Sequence, residues 1–177
     1  SMENSRFKVD VEVDDQVLHE VFLPHFKRIV DEGVACVMSA YNLVNGEQCG
    51  QSHLLLRDVL RGEWGFEGFV ISDWIYGLRE AGPSVTAGLD VEMPAPMIRR
   101  VQLDAALEAG ACTWADIDAC VSRTLAALLR YAATPGALAA RPGPGVLASP
   151  DHRALAREAA AKSVVLLRNA EVDGAPL

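Results

Sequence analysis

The sequence predicts an α/β fold built on a parallel sheet. Short apolar runs of strand length recur at Val34–Ser39, Phe69–Ser72 and Gly88–Met93, and stretches of helical periodicity lie between and around them. Strands that run parallel need a crossover of a dozen or more residues, which an amphipathic helix supplies. The third observation is composition: half of the 177 residues are hydrophobic, enough for one ordinary domain, or for a domain and part of another.

The elements follow in chain order. Asp14 or Asp15 caps a helix reaching Asp31, with Val17, Leu18, Val21, Phe22, Phe26, Ile29 and Val30 at helical spacing and a bend expected at Pro24. Gly33 ends it, and Val34–Ser39 is the first strand. A loop carrying Asn42, Asn45-Gly46 and Gly50 leads to a second helix, marked by Leu55, Leu56, Val59 and Leu60 and ending at Trp64-Gly65. Phe69–Ser72 is the second buried strand and ends at Asp73. A short helix over Leu78–Ala87 precedes the third strand, which Pro94 and Pro96 close. Helices are expected at Ile98–Ala109 and Trp114–Tyr131, the second opened by a capping box of Thr113 and Asp116.

Residues 132–150 change character, mixing Pro135, Pro142, Pro144 and Pro150 with glycine and alanine, which is linker composition. Asp151 then caps a helix to about Lys162, and Ser163–Arg168 is expected as a strand. Three strands before the linker cannot close an eight-stranded barrel of ~250 residues. From periodicity alone, the later part of such a barrel and a small open sheet are both compatible.

Charge and motifs narrow the function. With 24 acidic residues against 16 basic ones the net charge is -8, and no basic cluster interrupts it, which disfavours nucleic acid and anionic membranes as partners. The apolar runs fall well short of the ~20 residues of a membrane span. Cys36, Cys49, Cys112 and Cys120 have neither the spacing of a zinc or redox site nor the density of a disulfide scaffold and read as buried or incidental thiols. His19 and His25 are badly spaced for joint metal ligation, and no HExxH, phosphate-binding glycine loop or GxSxG elbow is present. No cofactor is implied, and the sequence assigns no compartment.

The residues that could carry chemistry stand at strand ends, where parallel α/β folds present side chains to ligands. Asp73 follows the second strand, and a carboxylate there suits attack on an anomeric carbon; capping the next helix is the plainer alternative. Trp74 offers a flat face to a sugar or fills the core. Tyr41 offers a phenolic donor after the first strand, and Met38 an adaptable apolar wall or a core residue. Glu92 ends the third strand and favours a structural role over pairing with Asp73, and Asp90 is a strand or turn residue.

Taken together, Val37-Met38-Ser39-Ala40-Tyr41-Asn42, Asn45-Gly46, Leu60-Arg61-Gly62-Glu63-Trp64-Gly65-Phe66-Glu67-Gly68-Phe69-Val70-Ile71-Ser72-Asp73-Trp74 and Ala87-Gly88-Leu89-Asp90-Val91-Glu92-Met93-Pro94 resemble the β-glucosidase branch of glycoside hydrolase family 3. The resemblance implies a retaining hydrolase of terminal β-D-glucosidic bonds. It assigns the nucleophile to Asp73, the pocket of the cleaved sugar to Met38 and Tyr41, and the entrance to Trp74. The implied substrate is a β-glucoside or oligosaccharide. The implied architecture is the C-terminal part of a (β/α)8 TIM-type barrel over residues 1–131, a linker over 132–150 and the start of an α/β-sandwich domain over 151–177.

Glu3-Asn4-Ser5-Arg6 resembles the stretch after the family's Lys-His pair, which would make Ser1-Met2 native and start the chain inside the barrel. The resemblance further implies that early barrel strands precede Ser1 and that the acid/base Glu lies beyond Leu177. The 177 residues alone are therefore expected to be weakly active or inactive without a complementary part of the same enzyme. Two alternatives share the fold: a non-catalytic sugar-binding protein, and a truncated remnant.

Overall fold

In the computed structural model, residues 2–134, 136, 143–168, 170 and 174 are described. They form two compact units, residues 1–134 and 135–177.

In the first unit the expected parallel sheet is present in shortened form. Strand β1 (Asp10–Val11) comes first, β2 (Cys36–Met38) follows the first helical region, β3 (Leu43–Val44) and β4 (Glu47–Gln48) form a hairpin, and β5 (Phe69–Ile71) follows the second helical region. β2 and β5 pair in parallel, with Cys36 opposite Phe69 and Met38 opposite Ile71. Val91 joins the other side of β5 through a parallel bridge to Ile71, and Val70 O accepts the N–H groups of Asp90 and Val91. The three expected strands thus lie side by side in chain order, but the third is reduced to this short contact. Pro94 and Pro96 break off the stretch that follows it, since neither can donate to a ladder.

The first helix takes the expected cap and bend. Asp14 accepts the Val17 N–H, α1 (Asp15–Val17) widens into a π-type turn over Leu18–Phe22, and α2 (Pro24–Asp31) restarts with Pro24 in its first turn, where a missing N–H costs nothing. The second helical region, Leu54–Glu63, is also wound with wide turns, as in the Trp64 N–H bond to Val59 O. After it come α3 (Ala81–Thr86), α4 (Ile98–Glu108) and α5 (Trp114–Ala132). Thr113 and Asp116 form the expected reciprocal capping box at the start of α5.

Two features escaped the sequence reading. Asn45-Gly46, expected in a loop, is the two-residue turn of the β3–β4 hairpin, with φ of 49° and 85° at its central positions. Those positive angles suit Asn-Gly and fit a type I′ turn. β1 pairs in parallel with β3, and the Asn45 side chain ties the segment down by accepting from Val13 N and donating to Val13 O, both at 2.8 Å.

The main core joins the Leu54–Glu63 helix to the sheet through Leu56, Leu60, Phe66, Val70, Leu78, Ala87 and Leu89. A second cluster, Val85, Cys112 and Cys120, sits among α3, α4 and α5. The apolar stripe of the first helix is less covered than its periodicity implied. Val21, Phe22, Phe26 and Ile29 remain exposed, and Phe22 and Phe26 border an apolar cleft of about 360 Å³ along β2.

Asp90 organises polar contacts within this core. Its side chain is fully buried, pairs with Arg61 Nη2 and Arg123 Nε at 2.7 Å each, and accepts the Val70 N–H at 2.6 Å. Arg61 also donates to the carbonyls of Phe66, Gly68 and Gly88, and Arg99 donates to the carbonyls of Asp90 and Leu89. The sequence marked Asp90 only as a strand or turn residue; its partners lie 29 and 33 positions away, and no local pattern announces such pairs.

The second unit differs from expectation. Ser149, not Asp151, caps α6 (Pro150–Ser163), with Asp151 in its first turn. The strand expected over Ser163–Arg168 does not form. Ser163 closes the helix, and Val164, Val165, Leu166 and Leu167 are exposed with no paired strand among the described residues. A strand needs a neighbour to satisfy its backbone, and propensity alone does not supply one. Pro135, Pro142 and most of residues 169–177 lie outside the described residues.

Replacing Asp90 with alanine strips the acceptor from two largely buried guanidinium groups. Asp90→Ala is expected to lower the unfolding free energy by about 3–5 kcal/mol, the range for breaking a buried ion pair from one side, as read from the midpoint shift in urea denaturation.

Candidate functional site

Three of the residues singled out in the sequence meet beyond the end of β5. Asp73 is half-buried, and its Oδ1 accepts the Trp74 N–H at 2.7 Å. Tyr41 arrives from the chain after β2, is buried, and donates its hydroxyl to Trp74 O at 2.9 Å. Burial, followed by the hydrogen bond and charge of the neighbouring Asp73 carboxylate, pushes the Tyr41 phenol above its ordinary range; Arg6 and the contact with Trp74 oppose the shift. Trp74 leaves its indole substantially exposed.

Met38 sits apart from this group. It is half exposed and lines the apolar cleft along β2, which Asp73 and Trp74 do not border. Ser39 and Asn42 also face that cleft, and each carries a buried side-chain oxygen without a hydrogen-bond partner.

Residues that the sequence reading gave no role surround Tyr41. The Phe7 ring meets Tyr41 edge-on at 4.8 Å and Tyr76 at 5.0 Å. The Arg6 guanidinium lies 5.2 Å from the Tyr41 ring centroid and 5.0 Å from that of Phe7, adding a cation to the aromatic cluster. A sequence-level signal existed in the adjacency Arg6-Phe7, but nothing local joins it to Tyr41.

The loop after β5 is tightly held. Ser72 is fully buried, donates its N–H to Val91 O and accepts the Met93 N–H on its hydroxyl at 2.9 Å. Ile75 takes φ of 69°, uncommon for a β-branched residue, and the Tyr76 N–H returns to Trp74 O at 2.8 Å in a three-residue turn. Gly77 then passes so close to the backbone of Asp73 that a Cβ there would stand 2.5 Å from both the Asp73 N and O. Gln48 donates to Gly77 O at 2.9 Å, fastening the loop to the end of the β3–β4 hairpin.

Glu92, the other carboxylate at this end of the sheet, has the structural role expected of it. Its Oε1 accepts the N–H groups of Met97 and Ile98, and its Oε2 accepts that of Arg99, so it clasps the start of α4. Asp73 keeps more free acceptor capacity: a carboxylate offers about four lone-pair sites, and one backbone N–H occupies Asp73 Oδ1. A half-exposed carboxylate flanked by a phenol, an indole and a nearby cation is equipped to bind a polyhydroxylated ring and to attack an electrophilic carbon.

Residues 3–127 match the glycosyl hydrolase family 3 N terminal domain. A β-glucosidase of Rhizobium radiobacter is 39% identical over 171 residues, covering 94% of this chain and 20% of that protein. Among solved structures, a family 3 β-glucosidase of Bifidobacterium adolescentis superposes with a TM-score of 0.73 at 31% identity, covering 97% of this chain and 24% of its own. A Kluyveromyces marxianus β-glucosidase in complex with glucose gives 0.75 at 33% identity, covering 93% of this chain and 20% of its own. The chain spans about a fifth of the length of the curated relatives it matches.

Two outcomes test this geometry. Gly77→Ala forces a Cβ against the Asp73 backbone and is expected to cost about 1–3 kcal/mol of stability, measured by urea unfolding. Because the Tyr41 phenol is raised in the folded state, its contribution to stability is complete below the unfolded tyrosine range and is lost as pH rises through the folded value. Tyr41→Phe is therefore expected to flatten the alkaline fall in stability above about pH 10, followed as melting temperature against pH.

Proposed function

The chain belongs to glycosyl hydrolase family 3, and from that membership we propose that it carries the nucleophile-bearing part of a retaining hydrolase of terminal β-D-glucosidic bonds. The observation that carries the proposal is Asp73 itself: a carboxylate with free acceptor capacity just past the end of a parallel strand, with Tyr41 and Trp74 beside it. In this reading one Asp73 carboxylate oxygen attacks the anomeric carbon. The glycosidic C–O bond breaks, its electron pair moves to the leaving oxygen, and a general acid protonates that oxygen. Water then attacks the glycosyl ester, releasing the sugar with retained configuration and restoring the carboxylate.

Tyr41, whose hydroxyl donates to Trp74 O, steadies the backbone beside Asp73 and leaves its oxygen to accept from a sugar hydroxyl; Trp74 provides an apolar face at the entrance. Met38 is assigned to the sugar pocket by its place in the family's motif alone, since its side chain lines the separate cleft along β2. The general acid is assigned to a part of the relatives' length that these residues do not span, since the backbone bonds of Glu92 leave it committed to α4. Residues 1–131 then correspond to the later strands and helices of a TIM-type barrel, and residues 151–177 to the opening of an α/β-sandwich domain. The substrate class is a β-glucoside or a β-linked oligosaccharide.

The decisive experiment is incubation of the chain with an activated 2-deoxy-2-fluoro-β-glucoside, followed by intact-mass and peptide mass spectrometry. One 2-fluoroglucosyl group is expected on the peptide containing Asp73, and none in Asp73→Asn. Label on another residue, or label that survives the substitution, overturns the assignment. Binding of glucose without a covalent adduct favours a sugar-binding protein of the same fold. Turnover by the 177 residues alone is expected to be weak and confined to aryl glucosides whose leaving group needs no protonation.

A further inference from the structure

Toward the N-terminal end of the third strand, away from Asp73, a pocket of about 110 Å³ is lined by Arg57, Arg61, Thr86, Gly88, Asp116 and Arg123, among others. Arg57 and Arg61 stand four positions apart on the Leu54–Glu63 helix, and Arg123 reaches the pocket from α5. The space exceeds what one ordered water needs, about 10–15 Å³ by a comparable measure.

The lining is short of acceptors. Asp90, behind the pocket, is occupied by Arg61, Arg123 and the Val70 N–H. Asp116 Oδ2 accepts from both the N–H and the hydroxyl of Thr113. On the donor side, Arg61 Nε is buried and has no partner. Arg57 has a single recorded bond, to Thr86 O at 3.2 Å, out of five N–H groups. Arg123 uses Nε on Asp90 and Nη2 on Cys120 Sγ, and no bond from its Nη1 is recorded among the described residues. Three guanidinium groups line the pocket against Asp116, which is engaged on one oxygen, with the fully engaged Asp90 beside Arg61 and Arg123; the balance is one surplus positive charge and one buried donor, Arg61 Nε, without a partner.

We propose that this pocket is a binding site for a small tetrahedral oxyanion of the phosphate class. Such an anion supplies several acceptors on one centre, neutralises the surplus charge and matches the forked donor geometry of arginine. Waters would fill the volume but leave the charge unbalanced. Gly88 keeps the floor open: with φ of 91° it takes a backbone conformation rarely adopted by other residues, and a Cβ there would lie 3.3 Å from Arg61 Nε.

The test titrates inorganic phosphate into the full 177-residue chain, with chloride at equal ionic strength as control, by calorimetry and by melting temperature. Saturable phosphate binding and a phosphate-specific rise in melting temperature are expected. Arg57→Gln removes a largely exposed donor and leaves the Asp90 pairs intact; Ala119→Met fills the pocket from α5 without changing charge. Each is expected to weaken phosphate binding at least about tenfold while the far-ultraviolet circular dichroism stays unchanged. Equal melting temperatures in phosphate and chloride, or undiminished binding in both variants, overturn the site. No step of this test depends on glycoside hydrolysis, so its outcome is separable from that of the Asp73 assignment.

Discussion

The fold of the first unit depends on one buried carboxylate. Asp90 receives Arg61 from the Leu54–Glu63 helix, Arg123 from α5 and the Val70 N–H from β5, so a single side chain ties together four parts of the chain. Removing two cations and an anion from water is costly, and such a cluster repays it only when the remaining donors are also satisfied. Here the carbonyls of Phe66, Gly68 and Gly88 take up most of the Arg61 guanidinium. The arrangement fixes where β5 and the third strand lie relative to each other, and hence where their far ends emerge.

Those far ends are where the candidate chemistry sits, and a second set of short-range constraints shapes it. Ser72 bridges β5 to Val91 and Met93, the turn at Ile75 folds the chain back, and Gly77 passes against the Asp73 backbone. Gln48 carries the restraint onward to the β3–β4 hairpin. Asp73 therefore stands on a loop whose conformation is set by neighbours on several sides, which is the condition for a reactive group to be pre-oriented.

How much of this was legible in the sequence depended on the range of the interaction. The first two strands, the Asp14 cap, the bend at Pro24 and the Thr113–Asp116 capping box follow from residues within a few positions of one another, and the structure has them, while the third strand shrinks to a single bridge at Val91. The Asn45-Gly46 hairpin was also a local signal, but two-residue strands on either side are too short to show alternation. The convergence of Arg61 and Arg123 on Asp90, and of Arg6 and Phe7 on Tyr41, joins residues about thirty positions apart and has no periodic signature. The strand expected at Ser163–Arg168 failed for the complementary reason: apolar, β-branched sequence states a preference, and pairing needs a partner. At the site, the placement of Asp73, Trp74 and Tyr41 at strand ends was readable, whereas the position of Met38 on a separate cleft was not.

The contrast among Asp73, Asp90 and Glu92 turns on what each carboxylate has left to give. Asp90 has three donors and no exposure, so it acts as an internal counter-ion. Glu92 has three backbone donors and serves as a clasp for α4. Asp73 is half-buried, holds the Trp74 N–H on one oxygen, and has the Tyr41 phenol beside it. Their identity as acids is nearly the same, and all three lie within one strand–helix–strand segment. Burial and hydrogen-bond count divide them, and only Asp73 combines a fixed position with lone pairs open to a ligand. That difference is why the proposed nucleophile falls on Asp73 by a physical route as well as by its place in the family's motif.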